Sequence, residues 1–326
     1  MEIKTIGVMT SGGDVPGLNA AIHAILHTAN KKNIRIIGIT EGFDGLIDGK
    51  FSSLDLHAVR QAMDEGGTIL RTSRSERFKH FKWRKKANEQ LKSKGIDACI
   101  VIGGNGSLKG AEVFGREFKV PLIGIPKTID NDIYGTDYAI GFDTALNTIV
   151  EATDKIRDTA DATSRIFIVE VMGRKSGFLA LYSGIASGAD VIIIPEVKTN
   201  VADMLSYIEH NHKIGNRSMI LIITENALPD GGLGLKKILD KKLPEYESRV
   251  TILGHIQRGG RPSAIDRMLA NRLGHYAITA LLKGKKSVMV SILNDKIKYP
   301  SLAAICDKKH SINKEMIELA NRLSFL

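Results

Sequence analysis

Ala98-Cys99-Ile100-Val101-Ile102 runs directly into Gly103-Gly104-Asn105-Gly106-Ser107, and this stretch decides the fold. Five apolar residues without alternation indicate a strand that is buried on both faces, as in a parallel sheet. A second apolar run, 120–125, leads into Pro126-Lys127-Thr128-Ile129-Asp130-Asn131-Asp132. Loops at the carboxyl ends of such strands are where open α/β sheets bind ligands. We therefore expect the two loops to belong to one site.

Strand and helix patterns alternate over nearly the whole chain, which predicts an α/β fold with mainly parallel sheets covered by helices. The pattern includes one strand at 287–293 and helices that begin at 84, 107, 144 and 176. No repeat, low-complexity segment or obvious linker interrupts it.

The composition is that of an ordinary globular protein, with 326 residues and a hydrophobic fraction of 43%. The sequence contains no apolar run long enough for a membrane span, and its first residues open into a strand without the layout of a signal peptide. Its two cysteines, Cys99 and Cys306, cannot build a disulfide framework, and Cys99 is expected to be an inert core residue. These features predict a cytoplasmic protein that does not bind a membrane.

The net charge of +10 raises the question of nucleic acid binding. The densest basic stretch interleaves cations with three aromatic residues and contains Arg71, Arg74, Arg77, Lys79, Lys82, Arg84, Lys85 and Lys86. No nucleic-acid-binding motif accompanies it. We expect a solvated helix face with some residues that contact small phosphorylated ligands, and no nucleic acid partner.

The loop Thr10–Asn19 lies between a predicted strand and a predicted helix, and its glycines allow the backbone to approach an anion closely. It matches neither a Walker A motif nor a dinucleotide fingerprint. Gly103–Ser107 repeats the arrangement, with Ser107 placed to cap the next helix. Two such loops favour a polyphosphate ligand, although each alone is equally consistent with a simple glycine turn.

Asp130 and Asp132 are two residues apart, so in an extended loop their carboxylates point the same way. One can accept a hydroxyl proton while the other helps to hold Mg²⁺, as in kinase chemistry. The alternative is an Asx-turn, for which Asp-Asn-Asp is a natural sequence. The local sequence leaves both interpretations open.

Cations flank two further turns, in Gly173-Arg174-Lys175 and in Gly254–Gly260, which also contains His255. Arg165 and Arg249 each stand at the start of a predicted strand. Arginines near glycine turns favour a phosphorylated substrate, which a guanidinium group can bind in a bidentate manner. Glu225 follows a predicted strand, where a lone carboxylate is commonly a surface residue.

Taken together and in order, these motifs resemble those of the phosphofructokinase family from one end of the chain to the other. The matching segments are Gly12-Gly13-Asp14, Gly103–Ser107, Thr128–Asp132, Glu170-Val171-Met172-Gly173-Arg174 and Gly254–Gly260. The resemblance implies a kinase that transfers the γ-phosphoryl group of MgATP to the 1-hydroxyl of fructose 6-phosphate in glycolysis.

The resemblance also implies a role for each matching residue. Asp130 is the implied base, with Thr128, Asp132 and Arg174 as its catalytic neighbours. The residues implied to bind the sugar phosphate are Thr128, Asp130, Met172, Gly173, Arg174, Glu225, His255 and Arg258, joined by Arg165 and Arg249 from a neighbouring subunit. The residues implied to hold the phosphoryl donor are Gly12, Arg74, Gly104, Asn105, Gly106, Ser107 and Lys127. Mg²⁺ would contact Asn105 and Asp132.

The family fold implies two interleaved three-layer α/β/α domains. Residues 1–140 with 257–306 would form the phosphoryl-donor domain, and residues 141–256 with 307–326 the sugar-phosphate domain. Because the arginines would reach a neighbouring site, the active protein is expected to be a homo-oligomer, in this family usually a tetramer.

Two departures from the family pattern concern the donor. Asn105 replaces an Asp that helps to hold Mg²⁺, and Lys127 replaces a Gly of ATP-using members, as it does in members that use pyrophosphate. Gly106 argues for ATP, since pyrophosphate users place an Asp there that crowds the α-phosphate. We predict ATP as the donor on the basis of Gly106 and Arg74, with pyrophosphate as the alternative.

A third departure concerns regulation. Arginines that bind anionic effectors in bacterial members are replaced by His23 and His27, a third basic position is Leu56, and a lysine position is Asn216, although Arg157 and Arg217 remain. Neutral imidazoles bind phosphate poorly at neutral pH. We expect weakened control by phosphoenolpyruvate or ADP. A further alternative to an active kinase is a weakly active paralogue that regulates a second subunit.

Overall fold

The computed structural model describes residues 3–216 and 218–326. Contacts divide the chain into two compact units, and the chain passes between them several times. The first unit comprises the residues up to Thr128 together with 132–144 and 258–310. The second comprises residues 129–131, 145–257 and 311–326. Which ligand belongs to which unit remains a prediction.

Strands and helices alternate as the sequence pattern predicts. The strands are β1 (Thr5–Ser11), β2 (Arg35–Ile39), β3 (Phe51–Ser53), β4 (Ala98–Gly103), β5 (Leu122–Pro126), β6 (Ile166–Val171), β7 (Val191–Ile193), β8 (Met219–Thr224), β9 (Ser248–Ile252), β10 (Val288–Met289), β11 (Ser291–Leu293) and β12 (Lys296–Lys298). The α-helices are α1 (Leu18–Asn30), α2 (Gly42–Asp48), α3 (Leu56–Gln61), α4 (Phe81–Ser93), α5 (Asn105–Phe118), α6 (Phe142–Thr163), α7 (Phe178–Ser187), α8 (Val201–Lys213), α9 (Gly231–Lys242), α10 (Ala264–Leu282), α11 (Leu302–Ile305) and α12 (Lys314–Leu323). Short 3₁₀ helices cover Ala62–Asp64, Arg77–Lys79 and Gly254–Arg258.

The first unit is built on a six-stranded sheet in the order β10-β5-β4-β1-β2-β3, in which only β3 runs antiparallel to its neighbour. β4 is buried along its whole length, as its continuous apolar sequence predicts. Cys99 lies in this strand with no exposed surface, and burial raises the pKa of its thiol to about 12. Cys99 is therefore an inert core residue.

The second unit contains a parallel sheet in the order β7-β8-β6-β9. β8 is buried throughout, and β6 is mostly buried between β8 and β9. Apolar side chains of α8 and α9, including Met204, Ile208 and Leu235, pack on this sheet. In both units, loops that contain the sequence motifs begin at the carboxyl ends of the parallel strands, after β1, β4 and β5 in the first unit and after β6 in the second.

Several predicted boundaries are wrong. The strand expected at 287–293 is divided at Val290, because β10 pairs with β5 while β11 forms an antiparallel hairpin with β12. The helix expected from 84 begins at Phe81, and the helix expected from 176 begins at Phe178. Within the described residues, no helix has the combined length and apolar character that crossing a membrane requires.

Candidate active site

The loop after β1 is held in place by a segment that arrives from elsewhere in the first unit. Gly12 donates its backbone N–H to the carbonyl of Ser73 at 2.9 Å, and the hydroxyl of Thr72 donates to the carbonyl of Gly12 at 2.8 Å. Gly12 has φ +93°, a conformation that favours glycine. The exposed residue Arg74 follows directly, so the structure brings it beside this loop.

The loop after β4 lies next to the first, because β1 and β4 are adjacent parallel strands with Ser11 paired to Gly103. The hydroxyl of Ser107 donates to Oγ of Ser11 at 3.0 Å and so joins the two loops. The expectation that Ser107 caps α5 is wrong, since the helix begins at Asn105 and Gly104 precedes it. The N–H groups at the start of a helix suit an anion.

Lys127 follows β5 and is almost completely buried, with 3% of its surface exposed. Its backbone N–H donates to the carbonyl of Gly103 at 3.1 Å, and its ammonium group donates to the carbonyl of Gly13. One residue therefore contacts both glycine loops. It fixes a positive charge between them, where a phosphate would need it.

Arg258 lies on the same unit as the glycine loops. Its Nη1 donates to the carbonyl of Asp14 at 3.1 Å, and a methyl group at Gly13 would lie only 2.8 Å from that nitrogen. The resemblance assigns Arg258 to the sugar phosphate, and that role stays a prediction. The guanidinium group lies against the first glycine loop, so a side chain at residue 13 would have to displace it.

Residues 128–132 do not form the extended segment that the sequence analysis assumed. The argument that the carboxylates of Asp130 and Asp132 point the same way therefore loses its premise. Bends occupy 129–130, and Asn131 has φ +48°. Contacts then assign Asp130 to the second unit and Asp132 to the first. Each carboxylate must be considered with its own unit. Thr128, assigned to the first unit, donates its N–H to the carbonyl of Ile140 at 3.1 Å.

In the second unit, the loop after β6 is constrained at several points. Gly173 has φ +140°, and Arg174 has φ +56°, which is uncommon for a residue other than glycine. The N–H of Arg174 donates to Oε1 of Glu225, the residue that follows β8, at 3.2 Å. Glu225 is therefore a specific partner of this loop. Strain of this kind is concentrated at ligand-binding sites in proteins.

Ser176 and Gln257 help to position this loop. The sequence analysis selected neither residue. The hydroxyl of Ser176 donates to the backbone carbonyl of Asp130 at 2.7 Å. Gln257 is fully buried, accepts a hydrogen bond from the N–H of Met172 at 3.1 Å, and donates to the carbonyl of Gly254 at 2.9 Å. Gln257 thus ties Met172 to the 3₁₀ helix that contains the exposed His255. Their sequence signal is only that they lie inside recognisable motifs.

Arg165 and Arg249 are brought together, but away from Arg174. Arg165 comes directly before β6 and Arg249 is the second residue of β9, so both lie at the amino edge of the sheet. Met172, Gly173 and Arg174 follow the carboxyl end of β6. The six residues of β6 separate these edges by roughly 20 Å, which an arginine side chain does not span. Within one chain, these two groups of residues cannot hold the same phosphate.

The chain is an α/β protein with two glycine loops, buried and exposed cations beside them, and strained turns at strand ends. These features are typical of phosphate-binding enzymes. The model of the phosphofructokinase family matches residues 5–281. The chain therefore belongs to the phosphofructokinase family.

Two curated relatives match over nearly their whole length. The ATP-dependent 6-phosphofructokinase 2 of Bacteroides thetaiotaomicron is 44% identical over 322 residues, covering 99% of each chain. The ATP-dependent 6-phosphofructokinase of Bacillus pumilus is 45% identical over 325 residues, covering 99% of this chain and all of the relative.

Solved structures show the same fold. The phosphofructokinase of Saccharomyces cerevisiae superposes with a TM-score of 0.87 at 35% identity, over 98% of this chain and 46% of the longer yeast chain. A pyrophosphate-dependent phosphofructokinase from Marinobacter aquaeolei also gives a TM-score of 0.87, over 99% of this chain and 92% of its own, at 21% identity. The second likeness concerns the fold alone.

Proposed function

We propose that this protein is an ATP-dependent 6-phosphofructokinase of glycolysis, which transfers the γ-phosphoryl group of ATP to the 1-hydroxyl of fructose 6-phosphate. The observation that carries the proposal is the pair of adjacent glycine loops, which the hydrogen bond from Ser107 to Ser11 at 3.0 Å joins and which Lys127 contacts. The names of the full-length relatives supply the reaction. The cytoplasmic location that the sequence predicts accords with this reaction.

The donor is bound by the two glycine loops with Arg74, and Gly106 leaves room for a nucleotide. Apart from its chain neighbours and the backbone of its own helix, no described atom lies within 4 Å of a methyl group placed at Gly106. This open space supports ATP, because an acidic side chain there is what crowds a nucleotide in pyrophosphate-using members. The relatives named as ATP-dependent favour the same donor.

Two polar residues that the family resemblance selects suit Mg²⁺. Asn105 offers an amide oxygen and Asp132 a carboxylate, and Mg²⁺ in kinases is held by one or two carboxylates with phosphate oxygens of the substrate. Among the described residues, no group of three or more His, Cys, Asp or Glu side chains forms a site complete in itself. The ion would supply charge neutralisation at the transferred phosphoryl group. Lys127 contributes fixed positive charge there in addition.

Asp130 is the proposed base that accepts the proton of the 1-hydroxyl. The hydrogen bond from Ser176 to its carbonyl holds the backbone at this residue. Arg174, whose backbone N–H donates to Glu225, is proposed to bind the sugar substrate with Met172, Gly173 and His255. In-line transfer depends mainly on such positioning and on charge stabilisation.

Arg165 and Arg249 are proposed to bind the substrate phosphate in a neighbouring subunit. Their place at the amino edge of the sheet supports this, because they lie too far from Arg174 to act in the same site of one chain. The proposal requires an oligomer with shared sites, and a tetramer is the expected form.

The hydrogen bonds of Arg157, the retained basic residue that the structure describes, support weakened effector control. Nη2 of Arg157 donates to the carbonyls of Ser187 at 2.7 Å and Gly188 at 2.8 Å. The side chain of Asn216 donates to Asp190 at 3.0 Å. Arg217, the other retained cation, lies outside the described residues.

The test is the initial rate of fructose 1,6-bisphosphate formation by the purified protein with MgATP and with magnesium pyrophosphate side by side. We expect turnover with ATP to exceed turnover with pyrophosphate by at least about tenfold, and phosphoenolpyruvate at pH 7.5 to inhibit weakly. Faster turnover with pyrophosphate would show that Lys127 and Asn105 outweigh Gly106. No turnover with either donor, combined with co-purification of a similar chain, would instead indicate a regulatory subunit.

A further inference from the structure

One carboxylate, that of Glu247, joins the two arginines at the amino edge of the second sheet. Oε2 of Glu247 accepts a hydrogen bond from Nε of Arg165 at 2.5 Å. Oε1 of the same group accepts a hydrogen bond from Nη2 of Arg249. Both oxygens of Glu247 are thus engaged by guanidinium groups, which are the groups that a phosphate would bind.

The register of the sheet fixes this arrangement. β6 and β9 are parallel neighbours with Ile166 paired to Ser248, and the N–H of Ile166 donates to the carbonyl of Glu247 at 3.1 Å. Arg165 and Glu247 each come directly before their strands, so their side chains leave neighbouring backbones. Arg249 lies two residues after Glu247. The cluster is therefore a product of the sheet and not of a flexible loop.

The three side chains remain accessible to an incoming anion. Their exposed fractions are 33% for Arg165, 45% for Glu247 and 49% for Arg249. The hydrogen bond from Arg165 lowers the pKa of Glu247, with a further contribution from the charge of Arg249, so the carboxylate is ionised at neutral pH. Lys236, a further cation nearby, is paired with Asp240 at 2.7 Å.

We propose that Glu247 is a specificity-determining residue that occupies the two guanidinium groups until the phosphate of the sugar substrate displaces it. The inference rests on the proposed function of Arg165 and Arg249. A phosphate dianion brings more charge and more acceptor oxygens than the carboxylate, so it can exchange with Glu247. A singly charged anion gains little by the exchange. Glu247 thereby selects dianionic ligands and lowers the affinity for all anions.

The first test replaces Glu247 by Gln, which keeps the size of the side chain and removes its charge. We expect Glu247→Gln to lower the KM for fructose 6-phosphate by about two- to tenfold, because two partly exposed ion pairs contribute only a small free energy. The kcat and the KM for ATP should be unchanged. The conservative Glu247→Asp should stay near the wild-type KM. The matched control is Glu245→Gln, which removes the same charge two residues away at an exposed position.

A KM for fructose 6-phosphate that is unchanged or raised in Glu247→Gln would overturn the proposal, because Glu247 would then only orient the arginines. The second test does not depend on turnover and titrates inorganic phosphate into each variant by calorimetry. Tighter phosphate binding by Glu247→Gln that disappears when Arg165→Ala is added supports the proposal. Equal binding by Glu247→Gln and the wild type overturns it. If the wild type makes no fructose 1,6-bisphosphate, the proposed function fails while this titration still decides the role of Glu247.

Discussion

Lys127 and Arg258 direct two cations at adjacent carbonyl groups, those of Gly13 and Asp14. These hydrogen bonds orient both side chains at the first glycine loop, where the proposed phosphoryl donor would bind. Arg165 and Arg249 are instead oriented by the carboxylate of Glu247. At the scale of single residues, hydrogen-bond acceptors therefore fix where each of these cations lies.

The sequence located most of these residues but not their partners. The ends of β1, β4 and β5 could be found from apolar runs followed by glycine or charge, because local backbone preference determines them. The hydrogen bond from Arg258 to the carbonyl of Asp14 joins residues far apart in the chain, and no local pattern reports it. Ser176 and Gln257 were missed for the same reason.

Replacing Asp130 by Ser tests the proposed base. We expect kcat to fall by about 100- to 10,000-fold, the usual contribution of a positioned general base, while fructose 6-phosphate still binds. Steady-state rates measure the first effect, and calorimetric titration of the sugar phosphate measures the second. Turnover near that of the wild type would remove Asp130 from its proposed role.

The start of α6 shows how one element depends on another. Asp266 of α10 is completely buried and accepts hydrogen bonds from the N–H groups of Gly141 and Thr144 at 2.8 Å each, and from the hydroxyl of Thr144 at 2.5 Å. Burial raises the pKa of Asp266, although these three hydrogen bonds oppose the shift. The helix starts two residues before its predicted position, at Phe142, because this remote carboxylate satisfies its first N–H groups.

Asp266→Asn should destabilise the protein by about 1–3 kcal/mol, because an amide can accept from one side only and leaves a buried donor without an acceptor. The shift of the urea unfolding midpoint measures this cost. The matched control Asp158→Asn changes an exposed position of α6 and should stay within about 0.5 kcal/mol of the wild type. Equal midpoints for Asp266→Asn and the control would show that the cap contributes nothing.

At the scale of the whole molecule, the separation of Arg165 from Arg174 along β6 predicts sites that are shared between subunits. Two inactive variants, Asp130→Ser and the double variant Arg165→Ala with Arg249→Ala, should therefore complement each other. After the two variants are mixed, unfolded and refolded together, about a quarter of the sites would combine intact residues from both chains.

Activity of the co-refolded mixture is the measurement, and the same mixture without unfolding is the control. Recovery of about a quarter of the wild-type rate is expected. A mixture no more active than its components would place both groups of residues in the site of one chain, against the strand geometry.

The sequence by itself determined the family, the alternation of strands and helices, and the positions of the loops that end the parallel strands. Each of these follows from local patterns of apolar, glycine and charged residues, which act over a few neighbours in the chain. Only the tertiary structure decided the hydrogen bonds of Lys127 and Arg258, the cap on α6, and the placement of Glu247 between two arginines. These depend on strand register and on packing between distant segments, and a side chain's partner is fixed only when the chain has folded.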